Sequence, residues 1–217
     1  GVDNDSNVFL GSVWARMHYG RWKKNGNALI VTSCLPKYCY ELRAMPLASQ
    51  MNNYLEHLFN LYEKLPFEIS NKSIVRLYKG DYNYNQYLRW KDRFPKANID
   101  CGFSKISKVV PKCRIVICTY NASTYFETLA ANIPTIIYWD DNFWEIPQES
   151  RYDFMNLEQV KIFHNSKESA LEHLNKYWDF ISSWWFLPDV QKARLEFCNK
   201  YVRFNPSLIK SLVKFLE

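Results

Sequence analysis

The chain has 217 residues, 47% of them hydrophobic and 23% charged, with a formal net charge of +6. That balance describes a globular domain with a sizeable core and excludes an intrinsically disordered chain. No apolar run approaches the roughly 20 residues that span a bilayer, so no transmembrane helix is expected; the modest positive excess favours acidic ligands such as phosphates, or an anionic membrane surface, without selecting between them.

The first 27 residues read least well. Gly1-Val2-Asp3-Asn4-Asp5 has no Met and neither the basic start nor the apolar stretch of a secretory leader, which points to a domain taken from a longer chain. Val8-Phe9-Leu10 and the surroundings of Trp14 suggest short strands in a connecting segment. From Ala28 onward short β-type runs alternate with longer helical ones, as in βαβ units. Ala28–Ser33 is the first strand. Met51, Tyr54, Leu55, Leu58, Leu61, Tyr62 and Leu65 follow the spacing of one buried helix face, which Pro66 stops.

Ser73–Tyr78 reads as a second strand and Tyr84–Phe94 as a helix closed by Pro95. Ile99–Gly102 is a short edge strand, and Ser104–Val110 a brief helix. Arg114–Thr119 is apolar on both faces, as a central parallel strand covered by helices should be. A helix over Thr124–Asn132, a strand over Pro134–Trp139 and a last strand over Val160–His164 follow. Beyond them the pattern is helical over Lys167–Ser183, Asp189–Val202 and Ser207–Leu216. The expected fold is a single α/β domain over residues 1–217, a Rossmann-like parallel sheet flanked by helices with a helical C-terminus.

Six cysteines are present, yet Cys113, Cys118 and Cys198 fall inside apolar strand or helix patterns, and Cys34-x4-Cys39 lacks the spacing of a zinc knuckle or redox pair. They read as buried free thiols of a reducing compartment, the cytoplasm. His18, His57, His164 and His173 form no metal constellation, so no metal and no cofactor are expected.

In parallel sheets, ligands bind at the carboxyl ends of the strands. The Arg114–Thr119 strand runs into Tyr120-Asn121-Ala122-Ser123-Thr124, a turn of small hydroxyl residues opening into a helix. Such a terminus offers unpaired amides and the positive end of the helix dipole to an anion. Asn121, Ser123 and Thr124 are therefore candidate phosphate ligands. Thr124-x-x-Glu127 also fits a capping box, in which the two side chains only satisfy their own helix. Arg76, Asp81 and Lys79 lie at the end of the second strand, where an arginine suits bidentate phosphate recognition and an aspartate can orient it or act as an acid or base; the alternative is a solvated Arg–Asp pair. Lys37 and Arg43 follow the first strand and form either an anion clamp or plain surface charge. Trp139-Asp140-Asp141-Asn142-Phe143-Trp144 mixes aromatics with acids, which suits stacking on a sugar or base and recognition of its hydroxyls.

The run Ile117–Ile137 resembles a bacterial family of surface-carbohydrate transferases known from leptospires. More distantly it is similar to the donor-binding half of GT-B glycosyltransferases and to CDP-glycerol glycerophosphotransferases. Val75–Asp81, Arg89–Pro95, Trp184-Trp185 and Gln191–Arg194 carry the same resemblance, which covers roughly residues 28 to 203. It implies a GT-B donor half whose substrate is a nucleotide-sugar or CDP-type donor, with the turn at Ser123 and Thr124 on the donor phosphates and Glu127 on the ribose. It also implies a partner, the N-terminal acceptor half that usually carries the catalytic base. Two further readings compete: a noncatalytic docking module, and a nucleic-acid binder built on the basic and aromatic stretch Lys79–Phe94. Because Tyr84, Tyr87, Leu88 and Lys91 share one helical face, most of that stretch reads as core, and no nucleic acid is expected. Trp178, Trp184 and Trp185 read as core closure, as packing against the absent half, or as peripheral contact with the inner face of the membrane.

Overall fold

The computed structural model describes residues 22–38, 46–139, 143–202, 210 and 213. Six strands form one sheet: β1 (Asn27–Val31), β2 (Ser73–Arg76), β3 (Asn98–Asp100), β4 (Cys113–Cys118), β5 (Thr135–Tyr138) and β6 (Phe163–His164). Every neighbouring pair is parallel, and the order across the sheet is β3-β2-β1-β4-β5-β6. The helices are α1 (Met51–Glu63), α2 (Phe67–Ser70), α3 (Gln86–Arg93), α4 (Ile106–Val109), α5 (Ser123–Ala130), α6 (Arg151–Gln159), α7 (Lys167–Tyr177), α8 (Ile181–Trp185) and α9 (Pro188–Tyr201).

The chain builds outward from β1 in one direction and then, from β4, in the other. Parallel crossovers are right-handed, so this reversal puts the helices of the two halves on opposite faces. On one face α1 meets α3, with Trp90 edge-on to Phe59 and Tyr62 at centroid distances of 4.8 and 5.5 Å. On the other, α5, α6 and α9 meet through Tyr125, Phe154 and Phe197. The two layers explain why all six residues of β4 are buried. Its one charged member, Arg114, donates to the Trp178 carbonyl and lies 4.3 Å over the Trp178 ring, so the cation stays inside the core with partners.

Several expected elements shift for identifiable reasons. The helix read from Tyr84 begins at Gln86, because Tyr82, Asn83 and Asn85 take left-handed backbone (φ +51°, +67° and +51°) and Asp81 accepts the amides of Asn85 and Gln86 at 2.8 and 2.7 Å. Its buried face is Gln86 and Trp90, while Tyr87 and Leu88 are exposed, so the face proposed from Tyr84, Tyr87, Leu88 and Lys91 is corrected. The helix expected from Lys167 breaks at Tyr177 into a turn of 3-10 helix and then α8. That break tucks Trp178, Trp184 and Trp185 inward to 4%, 2% and 0% exposure, so all three close the core of this domain. Helix α6, built on Phe154 and Leu157, was not anticipated. Residues 1–21 of the connecting segment read over 1–27, and the expected helix 207–216 apart from Lys210 and Val213, lie outside the described residues. Cys34, Cys101, Cys113, Cys118 and Cys198 are free, all but Cys101 buried.

Candidate functional site

Parallel sheets take ligands in the crevice outside their carboxyl edge, at the point where strand order reverses. Here that point falls between β1 and β4, with Thr32, Ser33 and Cys34 following one strand and Thr119, Tyr120 and Asn121 the other. Tyr54 of α1, 2% exposed, stitches the two sides together. The Ser33 amide donates to Tyr54 Oη at 2.9 Å, Tyr54 Oη lies 3.0 Å from Thr119 Oγ1, and Thr119 Oγ1 donates to the Val31 carbonyl at 2.8 Å. The threonine has one hydroxyl proton and uses it on Val31, so the Tyr54 hydroxyl is the donor to Thr119. Tyr54→Phe keeps the ring but leaves the buried Ser33 amide without its acceptor. This variant is expected to lose about 1–3 kcal/mol of stability in urea unfolding, and a loss below a few tenths would show that the relay is dispensable.

Helix α5 opens directly on this crevice. Its N-cap is Ala122, on extended backbone, whose methyl group cannot cap. Ser123 is the first helical residue and Thr124 the second, so the capping box that Thr124-x-x-Glu127 offers in sequence is not made: the threonine sits inside the first turn, not ahead of it. Around the uncapped turn the side chains are hydroxyls. Ser123 is exposed, and Thr124 Oγ1 lies 3.3 Å from Tyr120 Oη. The Tyr125 hydroxyl donates to Asn121 Oδ1 at 2.8 Å, which fixes the asparagine carbonyl toward its own helix and leaves its amide nitrogen as the end that can donate to a ligand.

The phenols near this turn are held further in their protonated form by burial. The Tyr120 phenol is pushed up to about 12 by burial, helped by nearby Cys118 and Glu127 and opposed by its bond to Thr124. Tyr54 and Tyr125 are raised further for the same chief reason. The Cys34 thiol, next to the crevice, is pushed up to about 12 by burial and then by Asp81, so it is no thiolate nucleophile near neutral pH. The crevice is therefore a set of neutral donors around a helix N-terminus, with the Glu127 carboxylate close enough to influence Tyr120 and Cys118. It can hold an anion.

The other sequence candidates scatter. Arg76 is buried at the end of β2, its guanidinium donating to Asp100 and to the Ser104 carbonyl, with Gly102 O and Ser104 Oγ each at 3.4 Å. It ties down the loop after β3, two strands and roughly 10 Å of sheet from β4. Asp81 caps α3 as described above, so neither a free acid nor an Arg–Asp pair forms there. Trp144 is 2% exposed and packs edge-on to Tyr54 at 5.1 Å, behind the crevice; the open stacking platform expected of it is corrected to a core ring. Arg43, Asp140 and Asp141 lie outside the described residues. Among the described residues no group of His, Cys, Asp and Glu is arranged to hold a metal ion. Sequence reasoning missed Tyr54, filed with the apolar face of α1. The signal was available: a buried tyrosine at a helix start needs a partner for its hydroxyl.

A family model described as LIC12162 family transferase matches residues 9–216. The chain belongs to the LIC12162 transferase family. No curated protein and no solved structure matches it. The family name gives a reaction class, transfer of a group from a donor to an acceptor. Among the described residues of this transferase no helix is long and apolar enough to cross a membrane.

Proposed function

We propose that this transferase takes a nucleotide-activated donor and that the first turn of α5 holds the donor phosphates. One observation carries the reading: α5 begins with no side-chain cap at the strand-order reversal, with the hydroxyls of Ser123, Thr124 and Tyr120 beside its first turn. Fixed donors of that kind cost no reorganisation when negative charge builds on a departing phosphate. Ser123 and Thr124 supply side-chain donors beside the backbone amides, Asn121 a further one, and Glu127 suits the hydroxyls of a ribose. The acceptor-binding half and the catalytic base belong to another part of the protein in this reading, which makes the chain the donor half of a GT-B-type glycosyltransferase for bacterial surface carbohydrate. Transfer of an alditol phosphate from a CDP donor would use the same turn. Arg76, committed to the loop after β3, is left out of the phosphate site.

The test is calorimetric titration of the chain with CMP, CDP, UMP, UDP and GDP, repeated on Thr124→Ala and Glu127→Ala. Saturable binding of one base series is expected, with the diphosphate tighter than the monophosphate. Thr124→Ala should weaken it about tenfold, the loss of one charge-assisted hydrogen bond. No binding by a folded chain, or binding indifferent to both substitutions, would overturn the reading and leave the turn as an ordinary helix start.

A further inference from the structure

The far end of α5 is built with more care than its length needs. The Ile133 amide returns to the Thr128 carbonyl at 2.9 Å and the Asn132 amide to the Leu129 carbonyl at 3.0 Å. Asn132 takes the left-handed position at φ +56°, which completes a Schellman closure. Onto this closure α8 and α9 place three side chains. Arg194, 6% exposed, donates Nη1 to the Leu129 carbonyl at 2.8 Å. Trp185 donates Nε1 to Asn132 Oδ1 at 2.8 Å and lies 3.2 Å from the Asn132 carbonyl. Gln191 joins the two, its Nε2 on the Trp185 carbonyl at 2.7 Å and its Oε1 accepting from Arg194 Nε at 3.2 Å.

The described partners of Arg194 are thus a helix carbonyl, an amide oxygen and the buried Cys198 thiol, not a carboxylate. A buried guanidinium on such partners is a weak device for stability, since apolar residues of similar volume often replace buried charges at no loss. It is a strong device for placing a dipole. Its charge sits at the negative end of a helix of 8 residues, about 12 Å long, whose positive end is the candidate anion site. We infer that Arg194 is a positioning residue for that site: it fixes α5 along its axis against β4 and adds to the positive potential at the first turn, with Gln191 and Trp185 holding the guanidinium in register. This rests on the anion-site reading of α5 given above.

Two readouts on the whole chain test it, with inorganic pyrophosphate as the probe. Amide hydrogen exchange follows α5 directly, and calorimetry follows pyrophosphate affinity, for wild type, Arg194→Met and Arg194→Lys. In Arg194→Met the amides of α5 should exchange about tenfold faster while those of β1 and β2 keep their wild-type rates, and affinity should fall about fivefold. Arg194→Lys keeps the charge on a single flexible donor, so it should recover much of the affinity and less of the protection. Should Arg194→Met not fold, the lysine variant alone decides: a partly reduced affinity with faster exchange in α5 supports the inference, and wild-type behaviour in both readouts overturns it. Unchanged exchange in α5, or faster exchange with unchanged affinity, also overturns it. Pyrophosphate binding that Thr124→Ala weakens but Arg194 variants ignore removes the positioning role alone. No binding by the wild type removes the anion site, and the inference with it.

Discussion

Stability should fall steeply as pH drops from about 6.5 towards 4. His164 and His173 pack together with their ring centroids 5.4 Å apart, at the join of β6 and α7. His164 bridges Ser169 Oγ at 2.9 Å and the Lys161 carbonyl at 3.0 Å, while Nε2 of His173 is buried without a hydrogen-bond partner among the described residues. Burial drives the His164 imidazole down to about 4 and the His173 imidazole down to about 3, and Lys161 presses on both, with Lys176 and His164 adding to the pressure on His173. The sign follows from proton counting. Between pH 4 and 6.5 the unfolded chain binds a proton on each of these residues and the folded chain does not, so acid favours unfolding. The stability is fully present above the unfolded value of about 6.5 and is lost as pH falls towards the folded values. Two protons give a slope of about 2.7 kcal/mol per pH unit near pH 5, large against a total of roughly 5–15 kcal/mol.

Urea unfolding at pH 7, 6 and 5 measures that slope. His173→Phe separates the two imidazoles: the ring keeps its edge contact with Trp184, 4.4 Å between centroids in the wild type, and the unpartnered nitrogen goes. Stability at pH 7 should be unchanged or higher, and the slope should halve to about 1.4 kcal/mol per pH unit. A wild-type slope already that shallow would mean that one of the two imidazoles stays charged inside the fold.

Hydrophobic period made most of the sheet legible, because strands covered on both faces have to be apolar throughout, and β4 and β5 read that way. What did not read was geometry set by single backbone positions. The start of α3 depends on three left-handed residues and the Asp81 cap, and nothing in an alternation of apolar residues encodes them. The site shows the same division. Ser123 and Thr124 stood out because small hydroxyl residues between a strand and a helix are visible in one dimension. Arg76 also stood out by residue type, but its partner Asp100 lies on a strand that becomes its neighbour only once β3 pairs with β2. Tyr54, Trp185 and Arg194 carry polar atoms on otherwise buried side chains, and periodicity cannot distinguish such residues from plain core. The Gln191–Arg194 segment entered through resemblance alone; the structure gives it, with Trp184 and Trp185, a physical role at the ends of α5 and α6.

Gly26→Ala should be the most damaging conservative substitution in the sheet. A Cβ at Gly26 would stand 2.1 Å from the Lys112 carbonyl oxygen, 2.8 Å from its carbon and 2.9 Å from the Arg114 nitrogen. All three are backbone atoms, so no side chain can swing aside, and β1 would have to move away from β4. That contact lies where the pairing of the two strands shifts register, between Asn27 opposite Cys113 and Ala28 opposite Ile115. Trp22 clamps the same corner, with Nε1 on the Arg114 carbonyl at 3.0 Å. Overpacking a core with movable side chains costs about 1–3 kcal/mol, and displacing backbone should reach about 3 kcal/mol or more. Gly80→Ala is the matched control: there a Cβ meets only the Tyr82 ring, at 3.0 Å, and an exposed ring can turn. The control should lose well under about 1 kcal/mol. The consequence reaches the far end of the same strands. The β1–β4 register, with Val31 opposite Cys118, brings Ser33 and Thr119 to the Tyr54 hydroxyl, so whatever nucleotide affinity the wild type shows should fall in Gly26→Ala and hold in Gly80→Ala. If Gly26→Ala unfolds in urea within about 1 kcal/mol of wild type, the close approach of β1 to β4 is not what fixes the crevice, and the Tyr54 relay would have to do so alone.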